Sequence, residues 1–249
     1  LIFSLLDSAG AKDEQLLSIN ESGVVTFITS PNFEAPADYN ADNTIEFTVI
    51  VSDGSLSNQI DYSFSVIDVN ESPSITTTEI SNIGEGVSSI ATIAASDQDA
   101  DSSLSYSLVD SSGAKDEDLL SIDSSTGAVS FKIPPNYESP GDVGADNKIE
   151  FSVLVSDGSL EVSQDYSFSI TDINEAPIIS SASFSIAEQS TAIGTISASD
   201  PDSSATLSYS ISGTDASKFS INSSSGSIAF LAAPNYDCLL YTSPSPRDR

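Results

Sequence analysis

The sixteen residues SLLDSAGAKDEQLLSI, Ser4 to Ile19, return as SLVDSSGAKDEDLLSI, Ser107 to Ile122, with 13 positions identical. The same displacement, about 103 residues, carries Pro31-Asn32-Phe33-Glu34 onto Pro135-Asn136-Tyr137-Glu138 and Val51-Ser52-Asp53-Gly54 onto Val155-Ser156-Asp157-Gly158. It also carries Asp68-Val69-Asn70-Glu71-Ser72-Pro73 onto Asp172-Ile173-Asn174-Glu175-Ala176-Pro177. A third copy begins with Glu188 and Asp200-Pro201-Asp202 and reaches Pro234-Asn235-Tyr236-Asp237. A period of this length is that of whole domains in series, so the fold must be one small unit used repeatedly. Any chemistry that recurs with it belongs to the unit or to the joints between units.

The expected domains are residues 1–72, 73–176 and 177–237. Only the middle one is whole: the first has no counterpart of residues 74–103, and the third stops inside a motif. The chain therefore reads as an internal piece of a longer protein. Residues 238–249, CLLYTSPSPRDR, resemble the conceptual translation of a transposon-end sequencing adapter and are expected to be an artefact. They hold the single Cys and both Arg residues. No disulfide framework is available to the rest, so rigidity must come from packing or from metal.

Acidic side chains number 37 against 7 basic ones, a formal charge of −30. That balance opposes nucleic acid and anionic lipid, whose binding requires Lys and Arg facing phosphate. It favours cations. No run of eighteen apolar residues occurs, so membrane attachment would need an anchor outside this stretch.

Apolar residues alternate with polar ones in Ile45-Phe47-Val49-Val51, Leu104-Tyr106-Leu108, Ile149-Phe151-Val153-Val155 and Tyr166-Phe168-Ile170. A period of two places each set on one face of a strand. Ser, Thr, Gly, Asn and Asp clusters separate the runs and supply turns. The expected fold is all-β, with about seven strands per copy in a Greek-key, immunoglobulin-like two-sheet sandwich. Only residues 11–17 and 114–120 have helical character, and each is expected to form a short helical turn. Asp7, Asp13, Glu14, Asp110 and Asp116 read as solvated turn residues, Lys12 and Lys115 as partners of neighbouring acids, and Phe33 and Tyr137 as core aromatics.

The ordered acidic residues are different. Loops at one end of a sandwich cluster, so the trailing end of one copy and the leading end of the next can pool their carboxylates. Such a site offers only oxygen. With no His and no native Cys, zinc and iron lack their ligands, and hard cations are selected. Carboxylates about 4 Å apart repel by about 4 kcal/mol per pair at an effective dielectric near 20. A cation with six to eight loosely arranged oxygens, Ca2+, suits such a cluster better than octahedral magnesium. Enzymatic action has little to stand on: no His, Cys or Ser-centred elbow supplies a nucleophile and base, and carboxylate pairs that recur at every joint do not form one cleft.

Taken in order, the leading Glu (Glu85, Glu188), the Asp-x-Asp pairs (Asp97 and Asp99; Asp200 and Asp202), Pro-Asn-Tyr-Glu, Ser-Asp-Gly (Asp53, Asp157) and the Asp-x-Asn-Glu-x-Pro linkers resemble the cadherin repeat, and in particular its bacterial cadherin-like relatives, over residues 1–237. The resemblance implies calcium between successive domains. It implies Glu34, Asp68, Asn70, Glu71, Glu85, Asp97, Asp99 and Asp157 at the first joint. At the second it implies Glu138, Asp172, Asn174, Glu175, Glu188, Asp200 and Asp202, with the last ligand missing. Two departures, Asn32 and Asn136 where the family has an acid and Glu71 and Glu175 where it usually has Asp, imply fewer or weaker ions per joint. The function implied is that of a large extracellular or cell-surface adhesin stiffened by calcium, its partners being other surface proteins or the same protein. A passive spacer and a metal-independent immunoglobulin-like repeat are the rival expectations. No Trp is present, so strand exchange through an N-terminal Trp has no support.

Overall fold

The computed structural model describes residues 1–7, 12–100, 102–110, 115–180 and 183–235. Copy one holds β1 (Ile2–Leu5), β2 (Leu17–Ile19), β3 (Val25–Phe27), β4 (Thr44–Ser52) and β5 (Ser57–Ser65). Copy two holds β6 (Ser74–Ile75), β7 (Ile83–Gly84), β8 (Ser89–Thr92), β9 (Ala95–Ser96), β10 (Ser105–Leu108), β11 (Leu120–Ile122), β12 (Ala128–Phe131), β13 (Lys148–Ser156) and β14 (Glu161–Thr171). Copy three holds β15 (Ile178–Ile179), β16 (Ala192–Thr195), β17 (Ala198–Ser199), β18 (Phe219–Ile221) and β19 (Ser227–Phe230). The expected helical turns are single three-residue 3-10 turns, Glu14–Leu16 and Glu117–Leu119.

In copy two the strands form sheets of order β10-β13-β14-β7 and β11-β12-β8, with β6 and β9 paired beside them. The expected seven strands appear as nine shorter ones, because the leading segment is broken into brief pairings with different neighbours. Ile149, Phe151, Val153 and Val155 on β13 are each at most 2% exposed, as the alternation requires. They pack with Ile93, Leu120, Val129, Tyr166 and Phe168 into one core. Gly127 is essential to closing it: its φ is +71, and a Cβ there would lie 2.4 Å from the Ile93 carbonyl oxygen.

Two expectations fail on burial. Asp13 and Asp116 are 2% and 3% exposed rather than solvated. Asp116 accepts the backbone N–H of Val143 at 2.7 Å and of Glu150 at 2.7 Å, and Asp13 accepts those of Tyr39 and Glu46 at 2.6 and 2.7 Å. Each ties the long loop before the central strand to that strand's edge. Asp116→Asn keeps the shape but turns one acceptor into a donor facing an amide. It is expected to cost about 2 to 3 kcal/mol in urea unfolding, while Asp118→Asn, on the exposed side of the same turn, stays within about 0.5 kcal/mol. Lys12 and Lys115 also reach further than expected, pairing with Asp61 at 2.9 Å and Asp165 at 2.8 Å across the sheet. Each also donates to a strand hydroxyl, Thr48 or Ser152. With both carboxylates largely exposed, these pairs contribute little.

Candidate functional site

The acidic residues gather in two groups. Carboxylate oxygens of Glu34, Asp68 and Asp99 lie within 4.8 Å of one another, and so do those of Glu85, Glu138, Asp172 and Glu175. Around the first, Glu71 N–H donates to Asp99 Oδ2 at 3.1 Å and Asp99 N–H to Asp97 Oδ1 at 2.9 Å. The second repeats this: Glu175 N–H donates to Asp202 Oδ2 at 3.0 Å, and Asp202 N–H to Asp200 Oδ1 at 3.1 Å. In each case the linker amide of one copy grips the Asp-x-Asp of the next; the first group itself draws on two copies, while the four carboxylates of the second all belong to copy two. The first also opens onto a cleft of about 650 Å³ lined by Glu34, Asp68, Asn70, Asp99 and Asp157.

Asn70 donates through Nδ2 to Asp157 Oδ2 at 2.8 Å and to the Glu71 carbonyl. Asp157 spends Oδ1 on the N–H groups of Ser159 and Leu160. Those bonds, first that of Leu160, together with the Asn70 amide, hold its carboxyl below the ordinary range. Asn174 likewise donates to the Glu175 carbonyl.

Glu85 is not where the resemblance put it. It belongs to the second group, with the trailing end of its own copy, and not to the first joint. The cause is β7, which pairs in parallel with the end of β14, Ile83 against Ile170 and Gly84 against Thr171. This carries the next residue to the linker, where Glu85, 7% exposed, accepts the N–H of Ile173 at 2.8 Å and of Tyr137 at 2.9 Å. Burial would raise its pKa, but those two amides outweigh it and hold the carboxyl low. Glu188, its counterpart in copy three, is in neither group among the described residues. The sequence held a signal for this: fourteen residues separate Glu71 from Glu85, about 46 Å if extended, enough to run the length of the eleven-residue β14. Asp53 is also in neither group. It caps the β4–β5 turn, accepting the N–H groups of Ser55 and Leu56, at the end of copy one opposite Asp68.

Five joint oxygens are shielded from solvent and have no hydrogen-bond partner: Glu71 Oε2, Asp97 Oδ2, Asp99 Oδ1, Glu138 Oε2 and Glu175 Oε2. Buried acceptors without donors are costly and rare. Desolvation, then the neighbouring charges of Glu138, Glu85 and Asp202, push Glu175 up to about 7. Desolvation and like charges also raise Glu71, Glu138 and Asp172, and desolvation raises Asp99 despite the opposing Glu71 amide. A carboxyl whose folded pKa lies above its unfolded value stabilises fully below the unfolded value, near 4.5 for Glu175, and that contribution fades as pH rises through about 7. Without metal, the melting temperature is therefore expected to fall between pH 6 and pH 8 in scanning calorimetry. The fall should shrink in Glu175→Gln. Oxygen-only, partnerless and mutually repelling, the groups fit a hard divalent cation.

No protein-family model and no curated protein matches the chain. Solved structures do match in shape. Human CDH23 EC21-23 superposes with a TM-score of 0.58 at 23% identity, covering 91% of this chain and 74% of that one. Mouse protocadherin-24 EC1-3 gives 0.56 at 21%, covering 96% and 79%. Mouse cadherin-23 EC22-24 gives 0.55 at 21%, covering 94% and 76%. With its all-β sandwich, its period and its interlocked linkers, the chain has the fold of tandem cadherin extracellular repeats.

Proposed function

We propose that residues 1–72, 73–176 and 177–237 are successive cadherin-like repeats of an extracellular adhesin, without enzymatic activity, and that calcium at their joints converts a hinged string into a rod. The observation that carries this is the concentration at the two joints of five shielded carboxylate oxygens that have no donor. At the first joint Glu34, Asp68, Asn70, Glu71, Asp97, Asp99 and Asp157 would hold the ion or ions. At the second Glu85, Glu138, Asp172, Asn174, Glu175, Asp200 and Asp202 would. A bound cation cancels the carboxylate repulsion and ties the linker of one copy to the Asp-x-Asp of the next.

Isothermal titration should show calcium uptake with dissociation constants of about 10⁻⁴ to 10⁻³ M. Replacing Asp97 and Asp99 by Ala should abolish uptake at the first joint and spare the second. Unchanged uptake in that variant, or none in the parent, rules the reading out. Beads coated with the chain should cluster in calcium and disperse in chelator if the repeats themselves adhere; dispersal in both would leave them a spacer.

A further inference from the structure

Asn43 and Asn147 stand one residue before the central strands β4 and β13, each with the left-handed backbone that non-glycine residues seldom adopt, φ +62 and +61. What holds them there is the same in both copies. Asp142, 9% exposed, accepts the N–H groups of Asp146 at 3.0 Å and Asn147 at 3.1 Å, and Asp38, 8% exposed, accepts those of Asp42 and Asn43 at the same distances. A buried carboxylate thus fixes each turn without using the Asn side chain.

That side chain reaches ten residues back. Asn147 Nδ2 donates to the carbonyl of Tyr137 at 2.9 Å, and Asn43 Nδ2 to that of Phe33 at 2.9 Å. Each carbonyl belongs to the peptide that leads into a joint acid, Glu138 or Glu34. Because a peptide unit is planar, holding its carbonyl also fixes the direction in which the next residue leaves. The main chain of the same Asn serves the other acid. The carbonyl of Asn147 accepts the N–H of Ile170 at 2.8 Å and that of Asn43 the N–H of Val66 at 2.8 Å, each two residues before a linker Asp, Asp172 or Asp68. One Asn per copy therefore ties together the two segments that bring Glu138 and Asp172, or Glu34 and Asp68, within 4.8 Å of each other.

We propose that Asn43 and Asn147 are positioning residues for the calcium sites: without ligating the ion themselves, they set the spacing of the two acids that each copy brings to the joint following it, Glu34 with Asp68 and Glu138 with Asp172. This deepens the calcium reading of the joints and rests on it. No other residue type fills both parts. Gly accepts the left-handed backbone but has no donor, Asp accepts it but turns an acceptor toward a carbonyl, and bulkier side chains are strained at this φ. Without the amide, the peptide leading into Glu138 is free to turn, and two like charges move apart until a cation draws them together. The ion must then supply ordering that the Asn supplies in the parent, so affinity falls.

Isothermal calcium titration of the full chain in the Asp97→Ala, Asp99→Ala background, where only the second joint takes up the ion, tests it. Adding Asn147→Gly there should raise the dissociation constant about tenfold. Adding Asn43→Gly, the same change in the other copy, should leave it within about twofold. In the parent background Asn147→Gly should spare the first joint. Asp97, Asp99 and Asp157 come from copy two, so that joint also reports whether copy two is still folded. Should the Gly variant fail to fold, Asn147→Asp, which keeps the left-handed turn and loses the donor, takes its place with the same expectation. Unchanged affinity at the second joint, or a loss shared by both joints, overturns the positioning role while leaving calcium at the joints. A parent that takes up no calcium overturns both.

Discussion

In saturating calcium the middle copy is expected to melt about 10 to 20 °C higher than in chelator. A ligand at a hundredfold its dissociation constant adds about 2.7 kcal/mol per site, and 1 kcal/mol moves the melting point of a domain of this size by about 4 to 8 °C. Copy two gains most because it contributes residues to both groups, Asp99 to the first and Glu85, Glu138, Asp172 and Glu175 to the second. The same titration should lengthen the molecule in small-angle scattering, since the Asp99 and Asp202 contacts with the linker amides then work against a neutralised cluster. Equal melting points and equal lengths in calcium and in chelator would defeat the proposed function.

Glu85→Ala is expected to lower the stability of copy two by about 3 to 5 kcal/mol even without calcium. Its carboxylate serves the amides of Ile173 and Tyr137 from a site 7% exposed, and deletion leaves both donors unpaired. Glu85→Gln retains one acceptor oxygen and should lose about half as much. Urea unfolding measures both. In calcium titrations Glu85→Gln should weaken only the second joint. Weakening at the first joint instead would return Glu85 to the place the sequence suggested.

Much of the fold could be read from the alternation of residues such as Ile149, Phe151, Val153 and Val155, because a strand's two faces are a local property of period two. The Asp-x-Asp and linker residues were legible for a similar reason: each is a short motif whose members act within a few residues of one another. Asp116 and Glu85 were not. The first looks like any acid in a polar turn until the loop from residue 142 folds back to offer its amides. The second is placed by a parallel pairing some 87 residues distant in sequence, Ile83 with Ile170, which no local pattern encodes.

The sequence by itself determined the repetition, the all-β class and the oxygen-only chemistry of the joints. Each of these follows from residue type and spacing. Only the tertiary structure decided which joint Glu85 serves and which carboxylates are buried as backbone acceptors. Those outcomes depend on where distant strands pair and on what then stands between a side chain and water.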